Sequence, residues 1–414
     1  MKSKQYPVTA LALMAACTVA QAAEAPSTIP VTALRSDAAP AAAPGGMATP
    51  DLKYSWGGYI KLDSMYSHFS DGDVATPGSA RDFYVPGSIP VKSTPEQHSF
   101  FDAHAKETRL WFRSDGTWGD HKVGAYVEMD FLVNPGAGQE RTTNAYNPGL
   151  RRAYLTFDNW LAGQDWSTFQ NTGALPEGLD FIGPTESTVF VRQPQLRYTE
   201  GSFQVALENP ETTLTAHGGA SINNVTGDGT LPDLVLRYNA KTGFGDFTIA
   251  GIGRQLKANQ TALGATAVAN GSAAGYGASA SGKVPLGDDD LRFMVSGGKG
   301  IGRYVGINTI DDAVVDANGG LQSLGLVAGF VAYRHPWSEQ WRSSLTLSTL
   351  HANNDSANTG VDVTKSVYSG HLNLLYSPLP KITFGGELTY AKRKLESGLD
   401  GDMSRLQLSA KYIF

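Results

Sequence analysis

Six arginines and three acids in this chain have the types and spacing to handle small anions. Arg109 and Arg113 stand four residues apart in RLWFR, Arg151 and Arg152 are adjacent in GLRRAYLTF, and Arg192 and Arg197 bracket RQPQLR. Between the last two groups lies WSTFQNTGALPEGLDFIGPTES (166–187), with Glu177, Asp180 and Glu186. A guanidinium donates two parallel hydrogen bonds to a carboxylate, so arginine suits carboxylates. In water each exposed contact is worth only about 0.2–1 kcal/mol. Contacts that weak raise the local concentration of an anion and then let it go, as conduction requires. The chemistry expected is passage, not turnover.

Patterns for other chemistries fail. There is no HExxH and no Walker loop; GGKGIG (297–302) lacks the lysine-serine ending that a phosphate loop needs. GASAS (277–281) is a near miss for a nucleophile elbow and lies in an alternating strand. The eight histidines lack metal-ligand spacing. Asp71-Gly72-Asp73 and Asp288–Asp290 read as solvated turn acids rather than calcium ligands. No enzyme activity, cofactor or metal is expected. A formal net charge of -6, without a basic patch interleaved with aromatics, argues against nucleic acid as a partner.

To face a common passage these residues need strands of fixed parity. In Arg405–Phe414, Leu406, Leu408, Ala410, Tyr412 and Phe414 fall on one face, and Arg405, Gln407, Ser409 and Lys411 on the other. His371–Tyr376, Ile382–Tyr390 and Val123–Phe131 repeat this period of two. Short connections alternate with long ones. The short ones lie at Ser114–Asp120, Asp158-Asn159, Glu200-Gly201, Lys241–Asp246, Pro285–Asp290, Pro336–Gln340 and Ser377–Pro380. The long ones lie at Ser67–Ser99, Asn134–Gly149, Trp166–Ser187, Pro210–Pro232, Lys257–Ala274, Gly300–Gln322, Ala352–Thr364 and Lys392–Ser404. The pattern predicts an all-β, transmembrane antiparallel β-barrel of about 16 strands, with short periplasmic turns and a polar, water-filled lumen. Tyr54, Trp56, Tyr66, Trp341, Tyr376, Tyr390, Tyr412 and Phe414 sit near strand ends, where interfacial aromatic girdles belong.

Parity then sorts the charges, because a charge on the lipid face costs about 2–4 kcal/mol at mid-bilayer. Leu110 and Phe112 face out, turning Glu107, Arg109 and Arg113 in, with Trp111 sharing the inward parity. Ala153, Leu155 and Phe157 face out, leaving Arg152 and Tyr154 inside; Leu196 and Tyr198 face out, leaving Gln195 and Arg197 inside. Arg192 has lipid-side parity, and Pro194 is expected to mark a bulge that turns it. Arg151 and Arg192 are additions near the rim. The rival reading is that these arginines only neutralise lumenal Glu107, Glu128 and Asp130. Segment 166–187 is too apolar for a loop in water. It is expected to fold into the barrel with Phe169, Leu175, Leu179, Phe181 and Ile182 on the inner wall and its acids beside the free passage.

The N-terminus supplies the address. Lys2 and Lys4, an apolar run Val8–Ala20 and Ala20-Gln21-Ala22 make a secretory signal, with a run too short for a membrane helix. Cys17 lies within it, so the mature chain lacks cysteine. A lipid-modified Cys17 is the weaker reading, since Met14 stands where a lipoprotein signal has leucine. Residues 1–22 are read as a signal peptide, 23–50 as an Ala/Pro-rich linker and 51–414 as the barrel.

GGYIKLDSMYS (57–67), ARDFYVPGSIP (80–90), FDAHAKETRLWF (101–112), EMDFLVNPGAG (128–138), the long stretch 146–186 and VFVRQPQLRYT (189–199) resemble the DcaP-like outer-membrane porins. The likeness is dense over the first half of the barrel; the second half matches mainly in pattern. It implies a trimeric porin of sixteen strands in the bacterial outer membrane, in contact with lipid and lipopolysaccharide, admitting small anions and dicarboxylates in particular. Carried over, the arginine pair becomes Arg151 and Arg152, and the strand arginines become Arg109, Arg192 and Arg197. Some members trimerise through an N-terminal coiled coil; residues 24–50 show no heptads, so a trimer here would rest on the barrel walls. A weakly selective or sugar-selective pore, and an outer-membrane enzyme or secreted adhesin, are the alternatives.

Overall fold

The structure, a computed structural model, describes residues 51–75, 78–133, 142–219, 221–226, 228–259 and 271–414. The expected signal peptide and linker lie outside the described residues. Sixteen antiparallel strands form one barrel wall. The first eight are β1 (Asp51–Phe69), β2 (His98–His104 and, after a break, Arg109–Trp118), β3 (His121–Asp130), β4 (Gly149–Phe157), β5 (Trp160–Trp166), β6 (Arg192–Glu200), β7 (Phe203–Glu208) and β8 (Asp233–Thr242). Then follow β9 (Gly245–Ala258), β10 (Gly271–Leu286), β11 (Asp289–Lys299), β12 (Gly325–Pro336), β13 (Trp341–Asn353), β14 (Thr364–Leu379), β15 (Ile382–Leu395) and β16 (Asp400–Ile413). β16 pairs back onto β1 from Tyr59–Ile413 to Phe69–Met403, so the sheet closes and leaves no edge. Among the described residues no helix is long and apolar enough to cross a membrane; strands make the crossing.

Parity holds along the wall. Ile60, Leu62 and Tyr66 are exposed on β1 while Lys61, Asp63 and Ser67 between them are buried inside. Trp56, Tyr54, Trp341 and Tyr412 are exposed at the short-turn end, and Trp341 stacks on Tyr376 at 4.5 Å. Two expectations need correcting. The connection read as long at Lys392–Ser404 is a hairpin of residues 396–399; Lys392 pairs with Asp400 at 2.7 Å across it, and the run of basic residues had hidden strand.

The lumen is also not polar throughout. On the outer part of β9, β11, β12 and β13, inward-facing Ile252, Met294, Leu326, Phe330 and Leu350 are buried against Phe169, Val189, Tyr304 and Val305. The reason is that loop 300–324 folds inward beside loop 167–191. Val189 bridges Val305, and the Phe190 N–H donates to the Tyr304 carbonyl at 2.9 Å. Where loops fill the bore, its wall meets hydrocarbon rather than water. Loop 70–97 folds inward as well, with Tyr84 fully buried.

Candidate functional site

Loop 167–191 leaves β5 and travels round the inner wall, anchored one strand after another. The Thr168 N–H donates to Glu208 on β7 at 2.7 Å, and Arg237 on β8 donates to the Gln170 carbonyl at 2.5 Å. Asn171 donates to Ser281 on β10 at 2.9 Å; Arg292 on β11 donates to the Leu175 carbonyl at 2.5 Å. Arg334 on β12 and Arg342 on β13 clamp Glu177 at 3.1 and 2.6 Å. Asn373 on β14 donates to the Glu177 carbonyl at 2.9 Å, and Glu387 on β15 accepts the Leu179 N–H at 2.8 Å. Lys61 on β1 and Gln407 on β16 both donate to the Leu179 carbonyl, at 2.6 and 3.0 Å. The loop therefore lies against β7 to β16 and β1, touches Gln195 on β6 through Thr168 at 3.0 Å, and leaves most of the arc β2–β6 facing the open lumen.

The apolar residues of the loop pack as expected: Phe169, Leu179 and Ile182 are buried, and Leu179 sits over Gly385, where a Cβ would come within 3.0 Å of it. The acids do not stand beside the passage as a group. Asp180 is buried, accepting the backbone N–H groups of Tyr84, Ile182 and Gly183, with Arg405 at 3.9 Å. Glu186 is fully buried and accepts from Ser369 at 2.6 Å. Only Glu177 keeps partial exposure, at 31% of its side chain. The acids serve as pins between loop and wall because the loop lies flat on the strands rather than hanging across the bore.

Burial pushes Glu177 up, but Arg342 and then Arg334 outweigh it and hold its carboxyl below the ordinary range. Burial likewise raises Asp180, and there Arg405 fails to compensate. A depressed carboxyl stabilises the docked loop above its unfolded value, near pH 4.3, and loses that contribution as pH falls through the lower, folded value. Asp180 acts with the opposite sign and favours docking as pH falls. Any change in single-channel conductance that Glu177 controls should therefore fall below the ordinary carboxylate range, and any that Asp180 controls above it. A transition near neutrality that Glu177→Gln abolishes would contradict this.

On the open arc Arg109 pairs with Asp130 at 3.2 Å, and Arg151 with Glu128 at 2.8 Å and Asp130 at 2.5 Å. Arg152 and Arg197 share Asp165 at 2.6 and 3.0 Å, and Arg113 pairs with Asp115. The rival reading is thus visible in these pairs, but the two signs are not equally placed. The side chains of Asp130, Asp165 and Glu128 are 2, 4 and 9% exposed, whereas Arg197, Arg109, Arg152 and Arg113 are 17, 20, 23 and 55% exposed. Arg151 (3%), Asp115 (48%) and, on the outer part of β2, Asp102 (23%) depart from this. Trp111, Tyr126 and Tyr154 stack across β2, β3 and β4, and the Arg152 guanidinium lies 4.8 Å over Tyr126.

The adjacent arginines both point inward because of a bulge. Glu128 is opposite Arg152 and Met129 opposite Leu150, leaving Arg151 as the extra residue. The bulge expected at Pro194 is absent: β5 and β6 pair without a shift from Trp160–Tyr198 to Trp166–Arg192. Arg192 stays at the first position of β6, its guanidinium 5.2 Å from the Trp166 ring and 5.6 Å from Phe190. Arg237, Arg292, Arg334 and Arg342 were missed, although Leu236, Tyr333 and Trp341 on the outer face would have placed them by the same alternation.

Residues 49–414 match the family described as DcaP outer membrane protein. Among curated proteins none matches the sequence. Among solved structures, the outer-membrane channel DcaP of Acinetobacter baumannii is similar with a TM-score of 0.72 at 24% identity, over 88% of this chain and 97% of that one. An anion-selective porin from Comamonas acidovorans follows at TM-score 0.50 and 11% identity, over 88% and 100%. A loop-deleted OmpT of Vibrio cholerae stands at 0.50 and 12%, over 88% and 99%. At such identities these likenesses speak for the fold, a closed porin barrel. With the family match spanning the whole barrel, the chain belongs to the DcaP outer membrane protein family and is a channel of the bacterial outer membrane.

Proposed function

We propose that the channel passes small organic anions, dicarboxylates among them, by passive diffusion along the arc β2–β6. One observation carries this: on that arc the carboxylates paired with Arg109, Arg152 and Arg197 are covered, and these guanidiniums face the lumen. A pair with its acid beneath and its base on top presents positive potential to the water, though its net charge is zero. Arg109, Arg113, Arg152 and Arg197 then form a ladder of weak donors, with Arg151 and Arg192 at its outer end. Glu177, Asp180 and Glu186 fix the loop that narrows the bore opposite. The covered acids favour this reading over a sugar or unselective pore. The mechanism needs no catalytic step.

The experiment is the zero-current potential across a planar bilayer in a salt gradient. Wild type should prefer anions, and Arg109→Ala with Arg152→Ala should lower that preference about threefold or more at low salt. A cation preference unchanged by the substitutions would refute the reading.

We propose further that the channel is a homotrimer whose walls contact outer-membrane lipid and lipopolysaccharide elsewhere. β5 has 7 residues and β7 has 6, fewer than the roughly 9–11 a membrane strand needs. That low sector is best covered by another copy.

A further inference from the structure

Above the arginine arc, where loops 70–97, 167–191 and 300–324 meet, lies a cavity of about 740 Å³ whose mainly apolar lining includes Phe83, Val133, Ile182, Phe190 and Ile307, together with Ser79, Ser88 and Asp73, which pairs with Arg81. Such a space holds an organic group the size of a short hydrocarbon chain or a ring system. Its apolar lining is unusual for the mouth of a pore that handles ions.

The backbone shows that the lining is held there at a cost. Val133 has φ 62° and Ile307 has φ 44°, a left-handed conformation in which β-branched residues are outliers. Glycine adopts that conformation without strain. Two such positions placing apolar side chains on one cavity mark it as a functional feature rather than packing left over.

Cations lie against the aromatic rings that adjoin it. Phe83 meets Phe181 edge-on at 5.4 Å, and Phe181 meets Phe190 at 5.7 Å. Against these rings Arg151 lies 5.3 Å and Arg109 6.0 Å from Phe181, and Arg192 lies 5.6 Å from Phe190. Among the described residues Arg192 has no carboxylate partner, unlike the other arginines of the arc. A ligand with a hydrocarbon body and one carboxylate matches this order of surfaces. The body lodges in the cavity and the carboxylate reaches past the ring edges toward Arg192.

We propose that this cavity is an antechamber for amphiphilic organic anions, carboxylates with an apolar tail or ring, which it gathers and orients before the arginine arc. The inference rests on the anion-channel reading and adds a substrate class to it. Capture here depends on the apolar part of the permeant, whereas passage along β2–β6 depends on its charge.

The test is the interruption of single-channel current by butanoate, hexanoate and octanoate below micellar concentration, with succinate and octyltrimethylammonium as comparisons. Residence should lengthen with the chain, by about tenfold for every two methylenes between butanoate and octanoate. In the Val133→Gly and Ile307→Gly double variant the fold is relieved of strain, so thermal stability should hold or rise. Octanoate residence should nevertheless drop toward that of butanoate, with succinate unchanged. Arg192→Gln should shorten octanoate residence and leave its dependence on chain length. Equal residence for butanoate and octanoate, or an octyltrimethylammonium residence equal to that of octanoate, would overturn the antechamber. A cation-preferring zero-current potential, read separately, would instead overturn the anion channel beneath it.

Discussion

Glu387→Ala should release the constriction loop. The Glu387 carboxylate accepts the Leu179 and Asp180 N–H groups at 2.8 and 3.3 Å, accepts from Asn373 at 3.2 Å and lies 3.6 Å from His371, with only 1% of its side chain exposed. Removing it strands two backbone donors in a buried site. Breaking a buried pair from one side costs about 3–5 kcal/mol. Since about 1.4 kcal/mol is a factor of ten, the Leu179 and Asp180 amides should exchange with solvent roughly a hundred- to a thousandfold faster. Open-channel current should become noisier as the loop lifts and re-docks. Unchanged exchange and current would mean that the loop is held elsewhere. Barrel closure runs through β1 and β16, so folding itself should survive.

The second large effect is inversion of selectivity by Arg152→Glu, Asp165→Asn and Arg197→Glu together. Asp165 is the shared partner of both arginines, so Asp165→Asn removes the acid that both new glutamates would meet, and Glu128, opposite position 152, keeps its pair with Arg151. The arc becomes more negative by three unit charges relative to wild type. One charge at about 6 Å in water contributes roughly 0.7 kcal/mol, so three contribute about 2 kcal/mol. That converts to about thirtyfold for each ion at low ionic strength, against the anion and in favour of the cation, shrinking as salt screens it. Asp165→Asn alone separates position from charge. If the arginines act on the permeant, uncovering them should raise anion preference about threefold. If they merely neutralise Asp165, losing it should scatter them and lower the preference.

Alternation of side chains made the barrel, most of its connections and the inward arginines Arg109, Arg113, Arg152 and Arg197 readable, because period two is local. What it did not reveal was set by contacts distant in sequence. Arg151 turns inward only because β3 and β4 slip by one residue, which neither strand announces alone. Arg192 keeps its parity because Pro194 fits the ladder without a bulge. Asp180 and Glu186 looked like pore-lining acids because a loop sequence does not show which wall it will lie on; Tyr84, Ser369 and Arg405, far away in the chain, decide that. The apolar half of the lumen followed from loops 70–97 and 300–324 folding inward, a tertiary event with no periodicity of its own. Arg237, Arg292, Arg334 and Arg342 follow the same period of two and were legible from Leu236, Tyr333 and Trp341 on the opposite face.

Bromide located by its anomalous scattering in crystals of the channel would look directly at the passage. The account places peaks along β2–β6, beside Arg113, Arg152 and Arg197, and none between the constriction loop and β10–β15. Rubidium ordered beside those same guanidiniums, with bromide absent from them, would contradict it.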